Sequence, residues 1–414
     1  MKVTIIGGGA AGCFAAANLK RLSPSLEVTV LEAGRKPLAK VAVTGGGRCN
    51  LTNTFDSISD LREAYPRGDK LMRRLFTVFG PEETRRWFEN EGVRLVEQDD
   101  GCIFPASQDA LEIVRTLESL MRRLGVGVRT SFRVKEILPE GSGYRVVPAG
   151  GESVLTDVVA VMTGGGPSSF LSPLGIEIIP PVPSLFTFNI DDALLKEKMG
   201  LVIPETVLSI PGTKFRSSGT LLITDWGLSG PAALKLSSYA ARYLHENGHR
   251  APLSVQWLGG MDLEGIRMQL DALQASHPRK LAASVHPVEI PSRLWAFLLG
   301  RSGFRPDQRW GETGTKGMNR LADTLYADRY RIEGRCAFKE EFVTCGGVAL
   351  AAVSPKTLEC KTRPGLFFAG EALDIDAITG GFNLQAAWTT GFIAAMGMSE
   401  YCKKTVSLSY DGQK

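Results

Sequence analysis

Residues 1–34 read MKVTIIGGGAAGCFAAANLKRLSPSLEVTVLEAG, and this stretch decides the fold. A β-branched apolar run passes directly into the glycine-rich turn 7–12, which is followed by an Ala-rich helical segment and a second apolar run. Gly7 and Gly9 lack a Cβ atom, so the chain can turn sharply and its backbone can approach a phosphate. Gly12 lets the helix pack closely on the strand. The order strand, glycine turn, helix, strand predicts the first unit of a doubly wound α/β fold.

The start of the predicted helix is suited to a negatively charged ligand. The free amides of Ala10 and Ala11 and the positive end of the helix would face phosphates. Glu32 lies about 20 residues beyond Gly12, where a carboxylate accepts hydrogen bonds from an adenosine ribose. We therefore predict a dinucleotide-binding unit. A secretory signal would not contain a triple glycine followed by a second strand and a matched acid.

The composition is that of an ordinary globular protein. The 414 residues are 43% hydrophobic and 22% charged, which is enough chain for two or three domains. A net charge of +4 demands neither a nucleic acid nor an anionic membrane, so we expect no nucleic-acid partner. The basic residues between 67 and 74 are interpreted as a solvated helix face. Seven scattered cysteines without CxxC spacing, and no apolar run of about 20 residues, predict a cytoplasmic protein with reduced thiols and no membrane span.

A second glycine-rich segment, TGGGRCNLTN, covers residues 44–53. Three consecutive glycines hold neither a helix nor a central strand, so this is a loop whose backbone can approach a ligand. Arg48 and Asn50 project polar groups from it. A simple surface turn needs fewer glycines, and a long cofactor bound at the first turn would continue here. Cys49 is either a packing thiol or, as the alternative, a catalytic one.

The segment TGGGRCNLTN, following Lys40 and the first glycine turn, resembles a family of bacterial NAD(P)/FAD-dependent flavoproteins. The family includes aminoacetone-oxidase-like and 3-dehydro-bile-acid delta-4,6-reductase-like members and is distantly related to fumarate-reductase-type flavoproteins. The likeness continues through nearly the whole chain, in the segments 101–111, 227–231 and 342–347. The resemblance implies an FAD cofactor, with Val134 supplying a backbone contact to the adenine.

Two later strands are predicted to return to the cofactor. The strand 154–161 ends in MTGGGP, similar to the Ala-Thr-Gly-Gly end of FAD folds, where the chain lies beside the pyrophosphate. As an alternative, Gly164 to Gly166 would be a second fingerprint for NAD(P)H, but Pro167 and the missing second βαβ unit argue against it. Between the first unit and this strand, apolar spacing predicts an amphipathic helix over 109–124 and a strand pair over 126–137.

The strand 366–368 ends in Ala-Gly-Glu, similar to a signature of FAD folds. Glu371 is placed to accept hydrogen bonds from the ribityl hydroxyls. The Gly380-Gly381 turn opens a helix whose amides would face the pyrimidine edge of the flavin. Fixed dipoles there stabilise the negative charge of the reduced ring, so this helix should raise the reduction potential. We predict the helix through Ala395 and a frayed tail from Lys403.

Taken together, the predicted cofactor-binding residues are Gly7, Gly9, Ala10, Ala11, Gly12, Glu32, Ala33, Lys40, Gly46, Gly47, Arg48, Cys49, Asn50, Val134, Thr163, Gly164, Gly165, Gly370, Glu371, Asp374, Gly381, Phe382, Asn383 and Leu384. Arg48 and Asn50 are also the candidate catalytic residues, in a positioning role. No metal site is predicted. The match of 245–249 to HExxH is rejected because Asn247-Gly248 ends the helix and leaves His249 off the zinc-binding face.

From Pro180 the sequence changes character, with prolines followed by short alternating runs. We predict a Rossmann-like FAD-binding domain built from 1–184 and 338–414, with a mixed strand and helix insertion at 185–337 that caps the substrate side. A single helix is predicted over 232–246. Four of the six tryptophans lie in the insertion, where they either line a substrate cavity or, as we favour, pack the core.

These features predict an FAD-dependent oxidoreductase that acts on a small molecule by hydride transfer through flavin N5. We expect an NAD(P)H-linked reductase, with NAD(P)H as a transient donor because no second Rossmann unit is present. An amine-type oxidase that produces peroxide, an RNA-modifying flavoprotein and a regulatory flavin-binding protein remain alternatives.

Overall fold

A computed structural model of the chain describes residues 1–166, 168–336 and 343–411. Pro167 and residues 337–342, which include one predicted domain boundary and the first residue of the FVTCGG segment, lie outside the described residues. Within the described part, the α-helices are α1 Ala10–Leu22, α2 Thr44–Gly47, α3 Leu61–Ala64, α4 Asp69–Leu75, α5 Pro81–Asn90, α6 Ala110–Arg123, α7 Ala193–Lys196, α8 Pro231–Tyr239, α9 Ala241–Glu246, α10 Leu263–Ser276, α11 Ser292–Arg301, α12 Thr315–Ala327 and α13 Phe382–Asp411. Short 3₁₀ helices cover Val41–Val43, Ser169–Leu174, Ala282–Ser284, Trp310–Glu312, Leu350–Ala352 and Gly370–Ala372.

The strands of the same residues are β1 Lys2–Ile6, β2 Glu27–Leu31, β3 Thr52–Asn53, β4 Leu95–Glu97, β5 Cys102–Pro105, β6 Gly127–Arg129, β7 Val134–Glu140, β8 Gly143–Pro148, β9 Val154–Thr156, β10 Val158–Val161, β11 Ile178–Pro183, β12 Phe188–Ile190, β13 Val202–Ser209, β14 Arg216–Ile223, β15 Gly227–Ser229, β16 Ala251–Gln256, β17 Asp328–Arg335, β18 Thr344–Val348 and β19 Leu366–Phe368. The chain divides into two compact units. The terminal unit comprises Met1–Val182 with Val343–Lys414, and the inserted unit comprises Pro183–Phe342.

The terminal unit is built on a five-stranded sheet with the order β19-β10-β1-β2-β6. All neighbouring pairs are parallel. Apart from the exposed Lys2 at the start of β1, the residues of β1 and β10 are buried, as expected for parallel strands covered on both faces. The chain adds β2 and β6 on one side of β1 and later β10 and β19 on the other. Ligands bind outside the carboxyl ends of the strands at such a switch point, and the glycine turn lies there. The predicted Rossmann-like α/β fold is confirmed.

The predicted strand pair over 126–137 is wrong in one respect, because its two strands join different sheets. Strand β6 pairs with β2 in the parallel sheet, whereas β7 forms a three-stranded antiparallel sheet with β8 and β9. The chain is redirected between them by Ser131, which has a φ of 55°. The amides of Ser131 and Phe132 donate to the carbonyl oxygens of Gly34 and Glu32. These long-range hydrogen bonds turn the chain away from its local partner.

The inserted unit is a closed barrel of six strands with the order β12-β15-β14-β13-β16-β17. Its apolar core includes the side chains of Trp257, Trp295 and Trp310, each completely buried. The prediction that these tryptophans pack the core is confirmed for the three. Trp226 is half-buried, and its indole N–H donates to Thr187 Oγ1 at 3.2 Å.

The single helix predicted over 232–246 is two helices, because the chain breaks at Ala240 between α8 and α9. Helix α8 begins with Pro231 in its first turn. Helix α9 ends at Glu246 with Asn247 as its C-cap, and His249 lies beyond it with a φ of 59°. The predicted helix end is therefore confirmed. Among the described residues, no group of three His, Cys, Asp or Glu side chains is arranged to hold a metal ion.

Helix α13 is longer than predicted, since it runs from Phe382 to Asp411 instead of ending near residue 395. The prediction of a frayed tail from Lys403 is wrong for the described residues. Met398 and Cys402 are buried, and Ser399 Oγ lies 2.8 Å from Ser23 Oγ at the end of α1. Tertiary packing against α1 carries the helix past its most apolar part. Within the described chain, no helix combines the length and the apolar character needed to cross a membrane.

Candidate functional site

In the turn between β1 and α1, Gly7 and Gly12 are tightly packed against the protein backbone, whereas Gly9 has open space beside it. A Cβ atom on Gly12 would lie 1.9 Å from the carbonyl oxygen of Gly7, and one on Gly7 would lie 2.3 Å from that of Met162. A Cβ atom on Gly9 would meet no protein atom within 4 Å. Helix α1 has no side-chain cap and no acid in its first turn. Its first amides, including those of Ala10, therefore face an open space that fits a phosphate.

Glu32 lies directly after β2 and beside this turn. Its Oε2 accepts from the amide of Gly8 at 2.8 Å, and its Oε1 accepts from the amide of Gly34 at 2.6 Å. These bonds orient the carboxylate, and each oxygen retains acceptor capacity for a ribose hydroxyl. The carbonyl of Glu32 also accepts from the amide of Phe132, which brings the start of β7 at Val134 towards this end of the sheet. Ala33 follows Glu32 and is exposed.

Two further segments meet at the carboxyl ends of β10 and β19. The amide of Gly165 donates to Glu371 Oε2 at 3.2 Å, and a Cβ atom on Gly164 would lie 3.5 Å from the same oxygen. Gly370 has a φ of 64° and packs against Ala11 in α1. Burial raises the pKa of Glu371, and the positive charge of Lys40 opposes that shift. The predicted residues Thr163 to Gly165, Gly370, Glu371 and Lys40 are therefore neighbours.

The TGGGRCN loop forms one tight turn, α2, with glycines in the left-handed conformation. Gly45 and Gly46 have φ values of 57° and 69°, and Gly47 has a φ of 84°. Cβ atoms on Gly46 and Gly47 would meet no protein atom within 4 Å, so the outer face of the loop is open. The exposed Arg48 guanidinium lies over the ring of Phe104, 4.5 Å from its centroid. Its Nε donates to the carbonyl of Gly45 at 3.2 Å, and these two contacts hold the side chain.

Cys49 is completely buried in this loop, with a φ of 61°. Burial raises the pKa of its thiol to about 12. A thiol with such a pKa is almost entirely protonated at neutral pH and is a poor nucleophile. The structure therefore favours the packing role over the catalytic one.

Asn50 connects the glycine loop to the start of α13. With its amide oriented to suit its neighbours, the nitrogen donates to the carbonyl of Thr52 at 2.9 Å and the oxygen accepts from the amide of Gly381 at 3.2 Å. A Cβ atom on Gly381 would lie 2.5 Å from the same Thr52 carbonyl. This side chain supports the turn, in keeping with a positioning role.

The side chains of Phe382 and Asn383 at the start of α13 are used by the protein itself. Phe382 is buried beside Phe55 and Tyr65. Asn383 Oδ1 accepts from the amide of Ala377 and its Nδ2 donates to the carbonyl of the same residue, both at 2.9 Å. A ligand at this end would therefore meet backbone amides, including that of Leu384. Asp374 lies in the preceding segment, where its amide donates to the carbonyl of Val348 at 3.0 Å.

One part of this region was missed at the sequence level. The basic residues 67–74 were interpreted as a solvated face, which holds for the exposed Arg73 and Arg74. Arg67, however, is largely buried and forms an ion pair with the buried Asp376. The sequence signal was the position of Asp376 inside the Glu371 to Gly381 segment, but no local pattern pairs it with an arginine.

Comparison with known proteins identifies the family. The family model described as "HI0933-like protein Rossmann domain" matches residues 1–397. The chain is 28% identical to the 3-dehydro-bile acid delta(4,6)-reductase of Clostridium scindens, covering 96% of this chain and 99% of that protein. It is also 28% identical to the ribosomal RNA dihydrouridine synthase of Escherichia coli, covering 95% of this chain and 97% of that protein.

Among solved structures, an E. coli quinol fumarate reductase FrdA variant aligns with a TM-score of 0.48 and 13% identity, over 98% of this chain and 71% of the other. Because the family model spans nearly the whole sequence, the chain belongs to the HI0933-like family of Rossmann-fold flavoproteins and is an FAD-dependent oxidoreductase.

Proposed function

We propose that the protein reduces a carbon–carbon double bond conjugated to a carbonyl group, with electrons supplied by NAD(P)H through FAD. The observation that carries this proposal is the chemistry shared by the names of the two relatives. A 3-oxo steroid acid with a Δ4 double bond is an enone. Dihydrouridine is uridine saturated at C5–C6, a bond conjugated to the C4 carbonyl. Both reactions add two hydrogens across a double bond that a carbonyl polarises.

In this proposal the terminal unit holds FAD. The amides beside Gly9 would bind the pyrophosphate, Glu32 the adenosine ribose and the Val134 backbone the adenine. Glu371 would accept from the ribityl chain, and the amides after Gly381 would face the pyrimidine edge. When bound, FAD supplies a hydride donor and acceptor at its N5 atom. The remaining proposed contacts are Gly7, Ala10, Ala11, Gly12, Ala33, Lys40, Gly46, Gly47, Arg48, Cys49, Asn50, Thr163, Gly164, Gly165, Gly370, Asp374, Phe382, Asn383 and Leu384.

Arg48 is the residue of this set that we propose acts on the substrate. Its guanidinium is exposed, and the ring of Phe104 and the carbonyl of Gly45 hold it in place. A fixed cation stabilises the negative charge that develops on the substrate's carbonyl oxygen during reduction. Asn50 acts indirectly, since its bonds to Thr52 and Gly381 fix the loop that carries Arg48.

NAD(P)H is proposed as a transient donor, because the described residues contain one parallel sheet with a dinucleotide turn. The seven cysteines all lie within the described residues and none of them forms a disulfide, which favours a reducing compartment such as the cytoplasm. A small enone is the first candidate substrate, since a net charge of +4 is too mild to indicate a nucleic-acid substrate. Ribosomal RNA is the second, because a full-length relative carries that name.

The test is an anaerobic absorbance titration of the FAD-loaded protein with NADH and with NADPH. We expect one donor to bleach the flavin bands and a 3-oxo-Δ4 steroid to restore them without air. Restoration by ribosomal RNA alone, with a steep salt dependence, would select the second candidate. A flavin that resists both donors but is bleached by amines and recovers in air with peroxide would replace the proposal with an amine oxidase. Failure to bind FAD would contradict it altogether.

The role of Arg48 is tested by Arg48→Met in the same assay. We expect flavin reoxidation by the enone to slow by about 100-fold, because this step develops negative charge on the carbonyl oxygen of the substrate. Flavin reduction by the nicotinamide develops no such charge and should be much less affected. Arg62→Met is the matched control, since Arg62 forms an exposed ion pair with Asp60. Equal reoxidation rates for the two variants would remove Arg48 from the mechanism.

A further inference from the structure

A buried ion pair joins two distant parts of the terminal unit. Nε and one terminal nitrogen of Arg67 donate to the two carboxylate oxygens of Asp376, which makes the pair bidentate. The Asp376 side chain is completely buried, and that of Arg67 is 16% exposed. Removing two charges from water is costly, and a well-packed apolar pair at the same place is often as stable. A pair of this kind therefore calls for an explanation beyond stability.

The pair connects the segment 64–68 to the segment 374–381. The backbones of Arg67 and Asp376 form a β-bridge, and the amide of Ile378 donates to the carbonyl of Ala64 at 2.9 Å. The two segments therefore lie side by side, with the ion pair as their charged link.

The segment 374–381 leads directly into the turn before α13. Asn53 Nδ2 donates to the carbonyl of Gly380 at 3.1 Å, and Tyr65 Oη donates to that of Phe382 at 2.8 Å. Neutral hydrogen bonds thus hold the far end of the turn, while the near end is held at Asp376. Movement at Asp376 would be transmitted to the amides that open the helix.

The charges of the pair also act on their surroundings. The carboxylate of Asp376 is close enough to the buried Glu371 to raise its pKa, in addition to the larger effect of burial. The positive charge of Arg67 opposes that of Asp376, and it also acts on the nearby Asp374 and Cys345. Removing the guanidinium of Arg67 would therefore make the electrostatic potential of this region more negative.

We propose that the Arg67–Asp376 ion pair is a positioning element that fixes the Gly380-Gly381 turn, and that its two charges tune the reduction potential of the bound flavin. This inference rests on the proposed binding of FAD at that turn. Reduction adds negative charge to the flavin, so loss of the positive charge of Arg67 disfavours reduction and loss of the negative charge of Asp376 favours it. Removing either partner alone loosens the turn, but the two removals shift the potential in opposite directions.

The experiment compares Arg67→Met, Asp376→Asn and the double variant by FAD binding and by reductive titration against reference dyes. We expect each single variant to bind oxidised FAD about tenfold more weakly. For Arg67→Met, the affinity ratio of reduced to oxidised FAD should fall about tenfold, which lowers a two-electron potential by about 30 mV. For Asp376→Asn the ratio should rise by a similar factor, and the double variant should return towards the native potential while binding weakly.

Arg73→Met is the matched control, because Arg73 lies nearby in sequence in an exposed ion pair with Asp60, and we expect it to change neither quantity. If Arg67→Met fails to fold, Arg67→Gln deletes the same charge and should give the same sign. Native potentials in both single variants, or shifts of the same sign, would overturn the inference. Failure of the unaltered protein to bind FAD would instead overturn the proposed function.

Discussion

Gly9 and Gly12 occupy the same turn but have different surroundings. A methyl group on Gly12 would lie 1.9 Å from a backbone oxygen, whereas one on Gly9 would point into empty space. Gly12 is therefore required by the packing of the protein itself, whereas we propose that Gly9 is required by the phosphates of FAD. The spacing of the motif alone does not separate these two requirements.

We predict that Gly12→Ala lowers the free energy of unfolding of the FAD-free protein by about 3 kcal/mol, because the backbone must move to admit the methyl group. Gly9→Ala should stay within about 1 kcal/mol of the native value in the same urea titration. Its FAD affinity should nevertheless fall at least about tenfold, a loss of about 1.4 kcal/mol. Native FAD affinity in Gly9→Ala would contradict the pyrophosphate site proposed at this position.

Helix α13 joins the predicted cofactor end to the core of the terminal unit. Gln385, in its first turn, is completely buried and accepts from Thr52 Oγ1 in β3. Its Nε2 donates to Thr84 Oγ1 in α5 and to Thr389 Oγ1 in α13, each at 2.9 Å. One side chain thus ties together three elements that are far apart in sequence.

We expect Gln385→Ala to lower the free energy of unfolding by about 3 kcal/mol, because three buried hydrogen bonds are lost and a cavity forms. Chemical denaturation of the FAD-free protein measures this loss. Met396→Ala on the same helix is the control, since Met396 is 41% exposed and such a change typically costs less than about 0.5 kcal/mol. Similar losses for the two variants would show that the Gln385 network does not hold the helix.

At the scale of the whole molecule, burial of weak acids predicts a loss of stability in alkali. Burial raises the pKa of the thiols of Cys102 and Cys402 to about 11, and that of the Tyr144 hydroxyl to about 12. The folded state therefore retains protons that the unfolded chain releases above about pH 9. The corresponding stability is fully present below the unfolded pKa and is lost as the pH rises through the folded values.

The free energy of unfolding, measured in urea from pH 8 to 11, should hold steady at first and then decline above about pH 9. Cys402→Ala removes one titrating group, so its decline should be shallower than that of the unaltered protein. A stability that rises between pH 9 and 11 would contradict the assigned direction of these pKa shifts.

Much of the terminal unit could be predicted because its signals are local. The strand, the glycine turn and α1 are contiguous in sequence, and backbone sterics dictate where glycine is required. The end of α9 at Glu246 was predictable for the same reason, since Asn247 and Gly248 form its cap. The second glycine loop and the Ala-Gly-Glu strand end were recognised from short motifs of the same kind.

The tertiary structure alone decided the features that depend on distant partners. The order of the six barrel strands is set by how their apolar faces close on one another, and each strand taken alone is compatible with many orders. Helix α13 continues past its apolar part because α1 covers its face. Arg67 and Asp376 are 309 residues apart, and only the fold brings their charges together in a place that excludes water. The sequence determined the first glycine turn and the end of α9, because these follow from neighbouring residues, whereas pairing across the fold follows from packing.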